Sequence, residues 1–139
     1  MGFAKLVFMK HLIACLCLWL AVPAIAETMS AEEFDAFTRG KTFYYGTNGQ
    51  AYGAEEYLSN RRVIWTFLDG RCQEGYWYEH SGMICFEYEQ LQDVQCWSFR
   101  ESPGGGLIAK FQDDPGELEL YEVERSHEPL SCLGPDVGV

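Results

Sequence analysis

The hydrophobic and polar positions along the chain follow three successive patterns. Leu12–Val22 is an uninterrupted apolar run, and residues 31–39 show the spacing of an amphipathic helix. From Thr42 onward apolar and polar side chains alternate, with turn residues roughly every 8–12 positions, as is typical of short strands. Apart from the first run, the pattern therefore predicts one short helix followed by about eight strands.

The predicted helix, at about residues 31–39, has a strong start signal. Ser30 and Glu33 have the spacing of a capping box, in which each side chain accepts a hydrogen bond from the backbone of the other residue. Phe34 and Phe37 are the large apolar residues of this segment, and we expect the helix to dock through them on the rest of the domain.

The strands are expected between about residues 42 and 123, followed by a tail of residues 126–139. No helical segment separates consecutive strands, so they predict an antiparallel meander. Eight such strands can close into a small barrel, or they can form a strongly bent sheet packed on the helix. The predicted strands are Thr42–Gly46, Gln50–Tyr57, Arg62–Phe67, Cys72–Glu79, Met83–Tyr88, Gln95–Phe99, Leu107–Phe111 and Leu118–Val123.

Turn positions predict the register of the central strands. A two-residue turn at Asp69-Gly70 would place Trp65 opposite Glu74. A three-residue loop, His80-Ser81-Gly82, would place Tyr76 opposite Phe86. Because side chains alternate between faces, this register collects the apolar residues on one face of the sheet and leaves Trp77 on the other. The predicted apolar face consists of Val63, Trp65, Phe67, Cys72, Tyr76, Tyr78, Ile84, Phe86, Tyr88, Trp97 and Phe99.

In this register Glu74 is a carboxylate among aromatic side chains, which is unusual for a core face. It could bind a ligand or act as an acid in such a place. The alternative is that Glu74 lies near the mouth of a barrel, hydrated or paired with an arginine such as Arg71 or Arg100. The candidate ligand-binding residues are therefore Glu74, Trp65, Tyr76 and Tyr78.

The first 26 residues have the features of a cleaved signal peptide. Lys5 and Lys10 precede the apolar run, and Ala24-Ile25-Ala26 forms a small-x-small cleavage site. Two alternatives concern this segment: translation could begin at Met9, and Cys15 could be lipidated. The main prediction is a single domain of residues 27–139, periplasmic or secreted, with no membrane attachment after cleavage.

Four cysteines lie in residues 27–139, and an even number in an exported small domain predicts two disulfides. The predicted register places Cys85 directly opposite Cys96, which makes them the preferred pair and leaves Cys72 for Cys132. The spacings do not match a zinc knuckle or a C-x-x-C redox pair. We therefore expect no metal and no cofactor.

Charge narrows the classes of partner. Residues 27–139 contain eight Lys and Arg residues against 21 Asp and Glu residues, a formal net charge of −13. Such a charge disfavours binding to nucleic acid and to anionic membrane surfaces, and it permits basic proteins or cations. The partner predicted from the sequence is an unidentified small molecule or a basic protein.

The motifs Cys72-x-x-Gly75-x-Trp77, Cys85-Phe86-x-Tyr88 and Cys96-Trp97 resemble the G-x-W…C-x-Y…C core of small exported bacterial proteins of unknown function. The resemblance covers about residues 40–100. It implies an exported all-β domain, and it implies no activity because the family has none assigned.

Three functional hypotheses follow from these observations. The first is a non-enzymatic, disulfide-stabilised β-barrel-like module of the cell envelope that binds a small molecule or a protein. The second is an acidic protein-binding or inhibitor module for a basic partner. The third is an enzyme using Glu74 or His80, which is disfavoured because neither residue belongs to a recognisable nucleophile–base arrangement.

Overall fold

The structure is a computed structural model, and it describes residues 27–112, 116 and 118–133. The predicted signal peptide, with the alternatives at Met9 and Cys15, lies outside the described residues, as does the end of the tail. In the described part of the chain, no helix is long and apolar enough to cross a membrane.

Eight antiparallel strands form a closed barrel. Each strand pairs with the next one along the chain, and β8 returns to pair with β1, so no sheet edge remains open. The prediction of a mainly-β meander with one short helix is confirmed, and of the two architectures expected the closed barrel is the one formed. The elements are α1 Ala31–Thr38, a 3-10 turn Ser59–Arg61, β1 Thr42–Thr47, β2 Gln50–Tyr57, β3 Arg62–Thr66, β4 Cys72–His80, β5 Met83–Tyr88, β6 Gln95–Glu101, β7 Leu107–Phe111 and β8 Glu119–Ser126.

Helix α1 is held on the barrel at both of its ends. The predicted capping box is present: the Glu33 N–H donates to the Ser30 hydroxyl at 3.2 Å, and the Ser30 N–H donates to the Glu33 carboxylate at 2.8 Å. Just before the helix, the Met29 N–H donates to the carbonyl of Phe99 on β6 at 2.7 Å. Just after it, Gly40 adopts a left-handed φ of 74°, and its N–H donates to the carbonyl of Tyr57 on β2 at 2.8 Å.

Phe34 of α1 fills the end of the barrel that the helix covers. Its side chain is fully buried, and its ring centroid lies 5.5 Å from that of Tyr57, 5.2 Å from that of Trp77 and 4.5 Å from that of Phe99. Complete burial of a phenylalanine is worth roughly 1.5–3 kcal/mol, and edge-on ring pairs add to it. The expected docking through Phe34 is confirmed. We call the end of the barrel that α1 covers the closed end.

The register predicted for β3 and β4 is wrong by one residue. Trp65 lies opposite Gln73, not Glu74. The physical reason is the length of the connection: residues 67–71 form a five-residue loop in which Leu68 takes a left-handed φ of 64°, whereas the prediction used a two-residue turn.

The register predicted for β4 and β5 is wrong for a related reason. Trp77 lies opposite Phe86, where Tyr76 was expected. Here the connection is shorter than predicted, because Ser81 and Gly82 form a two-residue turn with φ values of 52° and 76°. Two left-handed central residues are the geometry that best matches the twist of a hairpin.

The two corrections invert the faces of β4. Because side chains alternate along a strand, a shift of one residue moves every side chain to the opposite face. Trp77 is therefore in the barrel interior with 2% of its surface exposed, while the expectation that Cys72, Tyr76 and Tyr78 belong to the core face is wrong. The outer face of β4 carries Cys72, Glu74, Tyr76 and Tyr78.

The register predicted for β5 and β6 is confirmed, with Cys85 opposite Cys96. Both predicted disulfides are present, Cys85–Cys96 between these neighbouring strands and Cys72–Cys132 between β4 and the C-terminal tail. Disulfides persist in oxidising compartments, so the two bridges are consistent with a location outside the cytoplasm.

Candidate functional site

The end of the barrel opposite helix α1 contains a cavity of about 240 Å³, and we call it the open end. The inner walls of the barrel become partly exposed towards this end, whereas they are buried towards the helix. The mouth is lined mainly by aromatic side chains with some solvent exposure. They are Tyr52, Trp65, Phe67 and Trp97, together with Leu91.

Three of these rings pack on one another at one side of the mouth. The centroids of Trp65 and Phe67 lie 5.4 Å apart, and Tyr52 lies 6.2 Å from Trp65 and 5.7 Å from Phe67. Gly53 of β2 makes room for this arrangement, because a Cβ at that position would lie 2.2 Å from the Trp65 ring. Glycine at position 53 is therefore a requirement of the cavity wall.

Glu55 lies in the wall of the cavity, on the inner face of β2 opposite Trp65. Only 3% of its surface is exposed. The Tyr88 hydroxyl donates to its Oε2 at 2.8 Å, while Oε1 is buried and has no hydrogen-bond partner among the described residues. Burial raises the pKa of the Glu55 carboxyl well above its usual range, although the bond from Tyr88 acts in the opposite direction.

Three tyrosines surround the inner part of the cavity. The hydroxyls of Tyr45 and Tyr57 lie 3.0 Å apart and bond to each other, and Tyr88 bonds to Glu55. Burial raises the pKa of all three phenols above the usual 10.0, so they remain neutral at physiological pH. The cavity is thus lined mainly by aromatic side chains, with one carboxyl group and a few hydroxyl groups.

The sequence-predicted ligand residues separate into two groups. Trp65 lines the cavity, whereas Glu74, Tyr76 and Tyr78 lie on the outer face of β4. Glu74 is more than half exposed and forms an ion pair with Arg62 at 3.1 Å, so the expected pairing with an arginine exists but with a different one. Ligand binding by the four residues stays a prediction.

Sequence reasoning missed Glu55, although a signal for it exists. Glu55 and Glu56 are consecutive residues of a strand, and consecutive side chains point to opposite faces. One of the two glutamates therefore had to face the interior once β2 was part of a barrel. Glu56 faces out and accepts a hydrogen bond from the N–H of Leu130 in the tail at 2.9 Å.

His80, the other residue considered for catalysis, does not line the cavity. His80 is exposed at the end of β4, next to the Ser81-Gly82 turn. Within residues 27–112, 116 and 118–133, no group of three or more His, Cys, Asp or Glu side chains is placed to hold a metal ion. The cavity is the place where the described residues bring an unusual titratable group and an accessible space together.

Comparison with protein-family models, with curated proteins and with solved structures finds no match to this chain. The resemblance to small exported bacterial proteins stays a prediction.

Proposed function

We propose that this protein is an exported, non-enzymatic binding module that takes a compact, mainly apolar molecule into the open end of its barrel. The observation that carries the proposal is the aromatic cavity of about 240 Å³ with the buried Glu55 carboxyl in its wall. Small-molecule sites are typically concave, largely apolar and equipped with a few polar groups that orient the ligand. Sites for drug-sized molecules occupy roughly 300–1,000 Å³, so this cavity favours a smaller ligand.

The composition of the cavity supports binding in preference to catalysis. Covalent and acid–base mechanisms pair a nucleophile or an acid with a second group that exchanges protons with it. The described lining contains no histidine, cysteine, serine, lysine or arginine beside Glu55. Tyr88, which contacts the carboxyl, keeps its proton because its pKa is raised.

The binding function can be tested with neutral aromatic probes such as toluene and benzyl alcohol. Trp65 and Trp97 line the cavity, and their indole N–H resonances should shift on titration in an NMR experiment. Trp77, buried at the closed end, serves as an internal reference. The absence of any shift at the two cavity tryptophans at millimolar probe concentrations would contradict the proposal.

A matched pair of variants locates the site. Phe67 and Tyr76 are similarly exposed aromatic residues, at 43% and 48%, but only Phe67 lines the cavity. Phe67→Ala should weaken probe binding about 5- to 10-fold, since roughly 1–1.4 kcal/mol of apolar contact is lost. Tyr76→Ala should leave binding unchanged. The reverse result would move the site to the outer face of β4, which carries Glu74, Tyr76 and Tyr78.

A second candidate function is the binding of a basic protein partner over the mouth. The observation that favours this second function is a set of exposed apolar side chains around the mouth, on the strands and connections of the open end. They are Tyr52, Phe67, Leu68, Val94 and Leu118. With a net charge of −13 on residues 27–139, association with basic peptides should weaken as salt rises. Affinity independent of salt would count against this electrostatic form.

A further inference from the structure

We propose that the ligand of the cavity is an organic cation: a compact molecule with an apolar, preferably aromatic body and a protonated amine that donates hydrogen bonds to Glu55. This inference rests on the proposed binding function and specifies the chemical class of the ligand. Four features of the described residues support it.

The first feature is the unpaired oxygen of Glu55. The Tyr88 hydroxyl donates to Oε2, whereas Oε1 has no hydrogen-bond partner among the described residues. Buried polar atoms without partners are rare and each calls for an explanation. A donor on a bound molecule supplies the missing bond, and a charged ammonium group bonds to a carboxylate more strongly than a neutral donor does.

The second feature is the absence of a protein counter-ion in the described wall of the cavity, which contains no lysine, arginine or histidine. A buried carboxylate requires a partner charge, so in the empty barrel Glu55 retains its proton, as its raised pKa indicates. When an ammonium ion binds, it supplies that charge. The carboxyl proton then leaves to solvent, and one proton is released for each cation bound.

The third feature is a contrast in how the two ends use aromatic rings. At the closed end the chain places its own cations on them: the Arg61 guanidinium lies 4.6 Å from the centroid of Trp77, and that of Arg125 lies 4.6 Å from Phe37. At the open end no Lys or Arg of the described chain stacks on Trp65 or Trp97. Tryptophan rings attract cations, and these two rings line the cavity without a cation from the described chain.

The fourth feature is the charge around the mouth. The described parts of the connections at the open end carry Asp69, Glu89 and Asp93, and their single basic residue, Arg71, is ion-paired with Asp69 at 3.1 Å. Together with the acidic charge of the whole domain, these groups raise the local concentration of cations at the entrance. Anionic ligands of the same size are disfavoured by the same field.

The test compares three ligands of similar shape: benzylamine, benzyl alcohol and toluene. At pH 8, benzylamine should bind at least 10-fold more tightly than benzyl alcohol, measured by calorimetry and by the indole N–H shifts of Trp65 and Trp97. Glu55→Gln should reduce that preference to less than about 2-fold. The matched control is Glu56→Gln, which changes the neighbouring glutamate on the outer face and should leave the preference intact.

Calorimetry in two buffers of different ionisation enthalpy supplies an independent readout. Benzylamine binding should release close to one proton below the pKa of Glu55, whereas benzyl alcohol should release none. Benzylamine affinity should rise with pH through that range, because the carboxyl proton has to leave. The titratable groups facing Glu55 are Tyr45, Tyr57 and Tyr88, whose raised pKa values keep them protonated throughout.

The outcomes separate the two proposals. Equal binding of benzylamine and benzyl alcohol would overturn the cation inference and leave the binding function standing. A benzylamine preference that survives Glu55→Gln would overturn the role of Glu55. If none of the three ligands binds, the proposed function itself fails.

Discussion

The two ends of this barrel are built from the same strands but are completed in opposite ways. At the closed end, Phe34 of helix α1 inserts among the inward-facing rings and leaves them buried. At the open end the strands present similar aromatic rings, but among the described residues no element fills the space between them, and a cavity remains. The comparison teaches that an added helix, rather than a difference in strand composition, decides which end of the barrel becomes core.

The ends differ in polar chemistry as well. Charged groups at the closed end have partners within the chain: Arg125 bonds to Glu122 at 2.9 Å while stacking on Phe37. At the open end Glu55 is buried with one oxygen unpaired in the described structure. Residues that complete a core therefore lie at one end, and residues suited to receive a ligand lie at the other.

The largest expected effect is a difference in stability between a variant at the closed end and a variant at the open end. Phe34→Ala should lower the free energy of unfolding by about 3–5 kcal/mol, because it removes a fully buried ring that little can replace. Phe67→Ala removes the same ring from the mouth, where 43% is exposed, and should cost less than about 1 kcal/mol. Urea denaturation measures both. Similar losses for the two variants would show that the ends are energetically alike.

The next effect concerns the tail that reaches the open end. Beside the Cys72–Cys132 bridge, the Leu133 N–H donates to the carbonyl of Gly70 at 2.7 Å, in the same loop as Phe67. Replacing both cysteines with serine should lower stability by about 2–4 kcal/mol and also weaken probe binding, because this loop loses its support.

The Cys85–Cys96 bridge is the matched control for that experiment. It joins neighbouring strands across a sequence separation of 11, against 60 for the tail bridge. Its removal should cost about 3 kcal/mol by the loop-entropy model and should change probe affinity little. Equal loss of probe affinity on removing either bridge would show that global loosening, rather than the loop, controls the cavity.

The smallest effect tests the buried carboxyl of the open end. In the unfolded chain Glu55 ionises near its ordinary pKa of 4.5, whereas in the folded barrel its pKa is raised by burial. The protonated carboxyl therefore makes its full contribution to the free energy of unfolding below the pKa of Glu55 in the unfolded chain. That contribution is lost as pH rises through the pKa of Glu55 in the folded barrel. Glu55→Gln should match the unchanged protein at pH 4 and exceed its stability by roughly 1–3 kcal/mol at pH 8.

Thermal or urea unfolding across this pH range measures the difference. A gap between the two proteins that is largest at pH 4 would contradict the sign of the shift. A gap that does not depend on pH would show that the carboxyl is hydrated in the folded barrel.

Much of the fold could be predicted because its signals are local. The capping box needs only the spacing of Ser30 and Glu33, and the Cys85–Cys96 pairing needs only one correctly placed connection. The predicted register is wrong at β4 because turn residues mark the place of a connection but do not determine its length. A five-residue loop before the strand and a two-residue turn after it reversed the face of Trp77.

The candidate site was found only in part for the same reason. Trp65 was expected in the binding face, and it lines the cavity. Glu74 was expected beside it because of the slipped register, and it lies outside with Arg62. The interior carboxyl is Glu55 on β2, and the turn positions do not predict the register of β2 with β3, in which Glu55 lies opposite Trp65.

By itself the sequence determined the helix, the strand order and the two disulfides, because alternation, caps and turn residues act within a few positions of the chain. Only the tertiary structure decided that β8 closes on β1, that Phe34 fills one end, and that Glu55 rather than Glu56 faces inward. These outcomes depend on pairing register carried around all eight strands. A register shift of one residue moves every side chain of a strand to the opposite face. Which face is buried is therefore determined only when all eight strands are paired in the closed barrel.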